Sequence, residues 1–140
     1  MILFADTSAL LKLYIDELGS AEMVRAAADA HVIAVCRITW VEMMSAFARR
    51  AREQPGDRTA LAQASSRFTA DWPQLLTVEV TQPLMQLAGD YAEAFALRAY
   101  DSVQLAALQT LRVQAAELPR FACFDTRLVK AAQVLGVPGH

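Results

Sequence analysis

Four acids stand at places where a carboxylate serves no purpose of solubility. Asp6 ends the apolar run Met1-Ile2-Leu3-Phe4-Ala5 and is followed by Thr7-Ser8 and then by Ala9-Leu10-Leu11-Lys12-Leu13-Tyr14, which sets it at the junction of a buried strand and a helix. Asp125 repeats that grammar, with Phe121-Ala122-Cys123-Phe124 ahead of it and Thr126-Arg127-Leu128-Val129-Lys130 behind. Asp101 falls in line with Leu105, Leu108 and nearly Leu111 on a helical wheel, so it continues the stripe that must face the interior. Glu42 shares a helix face with Ile38, Ser45, Ala46 and Arg49, while Trp40, Met43, Met44 and Phe47 take the opposite face. Each acid also has a purely structural reading. Asp6 and Asp125 are good helix N-caps, Asp101 is one if its helix begins a turn later, and Glu42 can pair with Arg49 or sit as a rim charge.

Convergence favours chemistry. In a parallel α/β layout the helices start at the carboxyl edge of the sheet, where ligands bind in open sheets, so four acids from four distant segments can meet in one pocket. Close carboxylates repel and raise one another's pKa. A hard divalent cation relieves that penalty, and the lack of an accompanying His or Cys favours Mg²⁺ or Mn²⁺ over zinc.

The elements that must position these acids follow from turn and capping signals. A short helix after the first strand gives way to a turn over 16–20, and Ser20 is expected to cap a helix to about residue 30. A strand over 31–35 precedes a helix that Thr39 opens and that runs to about residue 53. Another helix over about 58–71 ends at Trp72-Pro73, before a strand over 75–80. Thr81 begins a helix to about residue 96, and a further helix covers about 100–112. A strand over 121–124 leads into a last helix, for which Gly136 is the expected left-handed stop. Strands alternating with helices predict one α/β domain over 1–140, with a central parallel sheet of about four to five strands, right-handed crossovers and helices on both faces.

The 140 residues suit one such domain. A net charge of −2 gives no overall basic field that would announce nucleic acid, although a site of carboxylates plus divalent cations is counted there without its metal. Only Lys12 and Lys130 among the 13 basic residues are Lys, the rest being the better bidentate phosphate ligand. Cys36 and Cys123 lie in apolar strand-like runs, which fits reduced thiols, and His31 and His140 lack the paired spacing of a zinc cluster. No run has membrane-spanning length, and Asp6 interrupts any signal-peptide core, so a cytoplasmic protein is expected.

Taken in order, Phe4-Ala5-Asp6-Thr7-Ser8-Ala9-Leu10, Ile38-Thr39-Trp40-Val41-Glu42, Leu97-Arg98-Ala99-Tyr100-Asp101 and Phe124-Asp125-Thr126-Arg127-Leu128 resemble the PIN-domain ribonucleases, and more closely the VapC-type toxins of bacterial toxin–antitoxin pairs. The resemblance spans the chain to the Ala-Ala-x-x-Leu-Gly ending at Gly136. It implies Asp6, Glu42, Asp101 and Asp125 as a metal-binding acidic site for hydrolysis of RNA, with Thr7 or Ser8 hydroxyls holding metal-bound water. Gln104 stands where relatives often carry another polar residue or a His, and its role is open. The resemblance also implies a small antitoxin lying over the acid groove, and a homodimer is expected. If Glu42 faces the site, part of the Trp40-Met43-Met44-Phe47 stripe is left for another chain, unless the helix bearing Phe68 covers it. Lys12, Arg49, Arg98 and Arg127 are candidate phosphate guides, each near an acid in sequence, and each reads equally as a solvated surface charge.

Other classes fit less well. A receiver domain needs a phosphoacceptor Asp after its third strand, where Thr77-Val78-Glu79-Val80-Thr81 has none. A dehalogenase-like phosphatase needs Asp-x-Asp, which Asp6-Thr7-Ser8 lacks, and there is no Gly-rich Lys-Ser/Thr loop for a P-loop NTPase. A PIN-like module that binds RNA or protein without cutting is the remaining rival, and the intact acid set speaks against it.

Overall fold

The computed structural model describes residues 1–139, so the reading of His140 lies outside the described residues. Four strands form one parallel sheet in the order β3-β2-β1-β4: β1 (Ile2–Ala5), β2 (Val32–Cys36), β3 (Leu76–Val78) and β4 (Arg120–Ala122). The first strand is central, with Phe4 opposite Ala34 on one side and Phe121 on the other. Side chains alternate across a strand, and β1 uses both faces for burial. Leu3 and Ala5 enter one core, which α1 (Thr7–Leu11), α2 (Ser20–Asp29), α3 (Thr39–Glu53) and α4 (Arg58–Asp71) cover. Phe4 enters the other, built with α5 (Gln82–Phe95), α6 (Ala99–Gln114) and α7 (Thr126–Val134). That two-sided burial is why the strands read as continuous apolar runs.

Helix limits follow local chemistry. Thr81 caps α5 by accepting the Leu84 N–H, and Gly136 adopts φ +87° just beyond α7. Ser20 is not the cap expected for α2. Gly19 takes that place at φ +93°, and the Ser20 hydroxyl instead accepts the Glu17 N–H and donates to the Ile15 carbonyl. The third strand is shorter than the run over 75–80: its ladder ends at Val78, whose carbonyl accepts the Arg37 N–H, and the next pair, Arg37 and Glu79, meets through exposed side chains. The fourth ends at Ala122, since Cys123 and Phe124 already belong to the turn that delivers Asp125.

The helix bearing Phe68 covers much of the α3 stripe, while Trp40 and Met44 stay partly exposed. Met43 and Phe47 are buried within the chain, and Phe68 of α4, with no exposed surface, lies 5.4 Å from the Trp40 ring and 6.1 Å from Phe47, centroid to centroid. Trp72, in the turn after α4, closes over Trp40 at 5.3 Å. The α4 helix returns along α3 because these rings offer the largest apolar area available to it. Phe68→Ala should therefore cost about 3–5 kcal/mol in urea unfolding. A loss below about 1 kcal/mol would mean that the cluster does not hold α4 in place.

Candidate active site

All four acids line one cavity of about 510 Å³ at the carboxyl edge of the sheet, together with Thr7, Ser8, Lys12, Arg49 and Arg98. Arg127 does not line it and borders another cavity with Phe95 and Lys130. Asp6 and Asp125 are also the N-caps that their sequences suggested, of α1 and α7 respectively. Capping occupies one oxygen of each. Asp6 Oδ1 accepts the Ala9 N–H at 3.0 Å and the Ser8 hydroxyl at 2.7 Å, whereas Asp125 Oδ1 accepts the Leu128 N–H at 3.0 Å. The second oxygens serve other contacts. Asp6 Oδ2 lies 3.1 Å from the Cys123 thiol, and Asp125 Oδ2 lies 3.8 Å from the Arg98 guanidinium.

Glu42 is half-buried at the first turn of α3. One of its oxygens accepts the Thr7 hydroxyl and the Gln104 amide, both at 2.8 Å. Gln104 is 2% exposed, and its Nε2 also reaches Thr39 at 2.9 Å. Its Oε1 is buried without a partner, because a carboxylate at Glu42 can only accept and so turns the amide nitrogen toward itself. Asp101 holds Arg98 Nε at 3.2 Å. That guanidinium spans Asp101 and Asp125, yet its side chain is 79% exposed.

Burial sets the electrostatics. Asp6, 4% exposed, has its pKa pushed up to about 6 by desolvation, against the donors Ser8, Cys123 and Ala9, with the charge of Glu42 adding to the rise. Glu42 is raised too, by burial first and then by Asp101, while Thr7 and Gln104 oppose the shift. Burial and the neighbouring Asp6 carboxylate push the Cys123 thiol far up, so it stays protonated and donates to Asp6.

Among the described residues, no three His, Cys, Asp or Glu side chains converge closely enough, as they stand, to enclose one ion. Arg98 draws Asp101 and Asp125 to itself, while Asp6 and Glu42 are turned to their own donors. Thr7 and Ser8 give their hydroxyl hydrogens to these two carboxylates. Gln104, whose role the sequence leaves open, lies three positions after Asp101 and hence on the same face of α6, and it donates to Glu42. Glu17 escapes sequence reasoning: it lines the cavity from a turn, 3.0 Å from Lys12 Nζ and 2.6 Å from Arg50, across 33 positions of sequence.

The raised pKa of Asp6 has a definite sign in stability. The folded state favours the neutral acid, so this contribution is complete below the ordinary value of 3.8 and is lost as pH rises through about 6. In metal-free buffer the wild type should lose on the order of 2–3 kcal/mol relative to Asp6→Asn between about pH 4 and about pH 7. Urea unfolding of both proteins across that range measures it, and parallel pH profiles would contradict a buried, ionising Asp6.

The PIN domain family model matches residues 3–133. Ribonuclease VapC45 and Ribonuclease VapC49, from two strains of Mycobacterium tuberculosis, are each 34% identical over 107 residues, covering 75% of this chain and 73% of the relative. Among solved structures, M. tuberculosis VapC20, described as a sarcin-ricin loop cleaving toxin, superposes with a TM-score of 0.66 at 20% identity over 94% of this chain and 95% of that one. A toxin–antitoxin complex from Klebsiella pneumoniae gives 0.65 at 18% identity, over 89% and 87%. These two matches speak for the fold, the family model and the closer relatives for kinship. The chain therefore belongs to the PIN-domain family and, within it, to the VapC type.

Proposed function

We propose that the chain is an endoribonuclease, the toxin of a toxin–antitoxin pair, that hydrolyses RNA phosphodiester bonds with Mg²⁺ or Mn²⁺ held by Asp6, Glu42, Asp101 and Asp125. The observation that carries this reading is the gathering of four acids from four segments into one cavity, with the central one almost completely buried. An acid 4% exposed, whose ionisation is opposed by desolvation and by a second raised acid, is costly unless a cation joins it. The donor set fits a hard ion, being carboxylate oxygen with no imidazole. Relatives named ribonucleases support RNA as the substrate.

When bound, such a cation acidifies water at neutral pH and offsets charge on the attacked phosphate. The chain's own residues prepare the carboxylates for it. Ser8, Cys123 and the Ala9 N–H aim Asp6, Thr7 and Gln104 aim Glu42, and each of these contacts donates to the acid. Arg98, being largely exposed, can leave Asp101 and Asp125 at little cost and turn to substrate phosphate. Arg49 lines the same cavity and is a second phosphate guide, whereas Lys12 is tied to Glu17 and Arg127 faces elsewhere.

The proposed partners are a small antitoxin and a second copy of the chain. The likeness to a toxin–antitoxin complex supports the first; for the second, Met43 and Phe47 are already covered within the chain, while Trp40 and Met44 stay partly exposed. The proposed compartment is the cytoplasm, and no helix among the described residues is long and apolar enough to cross a membrane.

The purified, partner-free protein should cleave RNA with Mg²⁺ or Mn²⁺, and Asp6→Asn or Asp101→Asn should lower the rate by at least about 100-fold, more than the loss of an outer-shell partner of a metal site. Cleavage that persists in excess chelator would refute the metal site. Added Mn²⁺ should also raise the melting temperature of the wild type by several degrees and that of Asp6→Asn by much less, since only a ligand of the folded state stabilises it. Equal shifts would remove Asp6 from the site.

A further inference from the structure

Hydrogen bonds from neutral groups fill one oxygen on Glu42 and one on Asp6. Glu42 Oε1 accepts the Thr7 hydroxyl and the Gln104 amide, both at 2.8 Å, and a carboxylate oxygen has about two lone pairs to offer. That oxygen is full. Asp6 Oδ1 is filled in the same way by the Ala9 N–H and Ser8, but there the donors belong to the cap of α1. Gln104 has no such second duty. It is 2% exposed and directs its two amide hydrogens to Glu42 and to the fully buried Thr39, with Thr7 Oγ1 farther off at 3.4 Å. This orientation leaves its own Oε1 buried without a partner. An apolar side chain of equal length would avoid that penalty, so packing alone does not explain the amide.

We propose that Gln104 is a positioning residue that, with Thr7, leaves Glu42 only one oxygen for a cation, and that this restriction selects a small octahedral ion over Ca²⁺. The proposal rests on the metal site proposed above. Mg²⁺ and Mn²⁺ favour octahedral coordination, and Mg²⁺ keeps several of its waters, whereas Ca²⁺ takes about six to eight oxygens and readily uses both oxygens of one carboxylate. An acid with one oxygen filled cannot grip an ion with two. The acids attract every divalent cation alike through their charge, so the discrimination has to come from the neutral donors around them. Their placement suits that task. Thr7 belongs to α1 on one side of the sheet and Gln104 to α6 on the other, so Glu42 is held from both layers and cannot turn its filled oxygen toward the cavity without breaking a bond to one of them.

The test measures binding of MnCl₂ and of CaCl₂ to the metal-stripped full chain by calorimetry, with no RNA present. The wild type should bind Mn²⁺ at least about tenfold more tightly than Ca²⁺. Gln104→Met keeps the length and removes the donor, so it should weaken Mn²⁺ about tenfold and narrow the ratio of the two affinities by a similar factor. Gln104→His, which returns an N–H donor, should restore most of that ratio. Thr7→Val removes the other donor to the same oxygen and should narrow the ratio too, which decides the matter if Gln104→Met does not fold. A merely structural role for Gln104 would weaken both ions in parallel. Parallel weakening, an unchanged ratio in both variants, or a wild type that binds Ca²⁺ as tightly as Mn²⁺ would overturn the proposal and leave the metal site standing. A wild type that binds neither ion would remove the metal site itself, and the proposal with it.

Discussion

The structure depends on one buried charge. Asp6 ends the central strand, is 4% exposed, and has both oxygens held by donors from the chain: the Ala9 N–H and Ser8 on one side and the Cys123 thiol on the other. These contacts offset part of the desolvation but leave the pKa near 6, so the chain's own donors satisfy the ionised carboxylate only in part. The surrounding fold follows from delivering that carboxylate. Parallel pairing of β1 with β2 and β4 brings the ends of the strands to one edge, and the helices that begin there contribute Glu42, Asp101 and Asp125.

Capping does not compete with the catalytic role proposed for the strand-end acids. A carboxylate has two oxygens, and one caps the following helix while the other meets a second group, the buried Cys123 thiol at Asp6 and the Arg98 guanidinium at Asp125. The cap fixes the side chain's direction, which is the preorganisation that the proposed metal site would need. Glu42 is fixed differently, by Thr7 next to Asp6 and by Gln104 on α6. These hydrogen bonds tie Glu42 to the segment bearing Asp6 and to the helix bearing Asp101, so a change at Gln104 acts on Glu42 directly.

Much of this was legible because local chemistry marks it. Apolar runs ending in Asp-Thr gave strand and helix together, Thr81 and Gly136 marked helix limits correctly, and the wheel position of Asp101 pointed inward. What escaped was long-range pairing of side chains, which has no period. Nothing in the spacing of Cys123 and Asp6, 117 positions apart, announces a contact of 3.1 Å. Nearness in sequence is not nearness in space: Arg127 lies in the first turn of α7, which Asp125 caps from outside the helix, and it borders a different cavity with Phe95 and Lys130. The α3 stripe was legible as apolar, but how much of it α4 covers depends on the path of the chain after residue 57, and the rings of Phe68 and Trp72 close over Met43, Phe47 and one side of Trp40.

The most direct measurement is an NMR titration of the Asp6 side-chain carboxyl, assigned with Asp6→Asn, with and without saturating Mg²⁺. If the cation offsets the cost of burying this charge, the metal-free protein shows an inflection near 6, and Mg²⁺ moves it well below the ordinary range of about 4. An inflection near 4 in both conditions, or one near 6 that Mg²⁺ leaves in place, would contradict the assignment of Asp6 as the centre of a metal site.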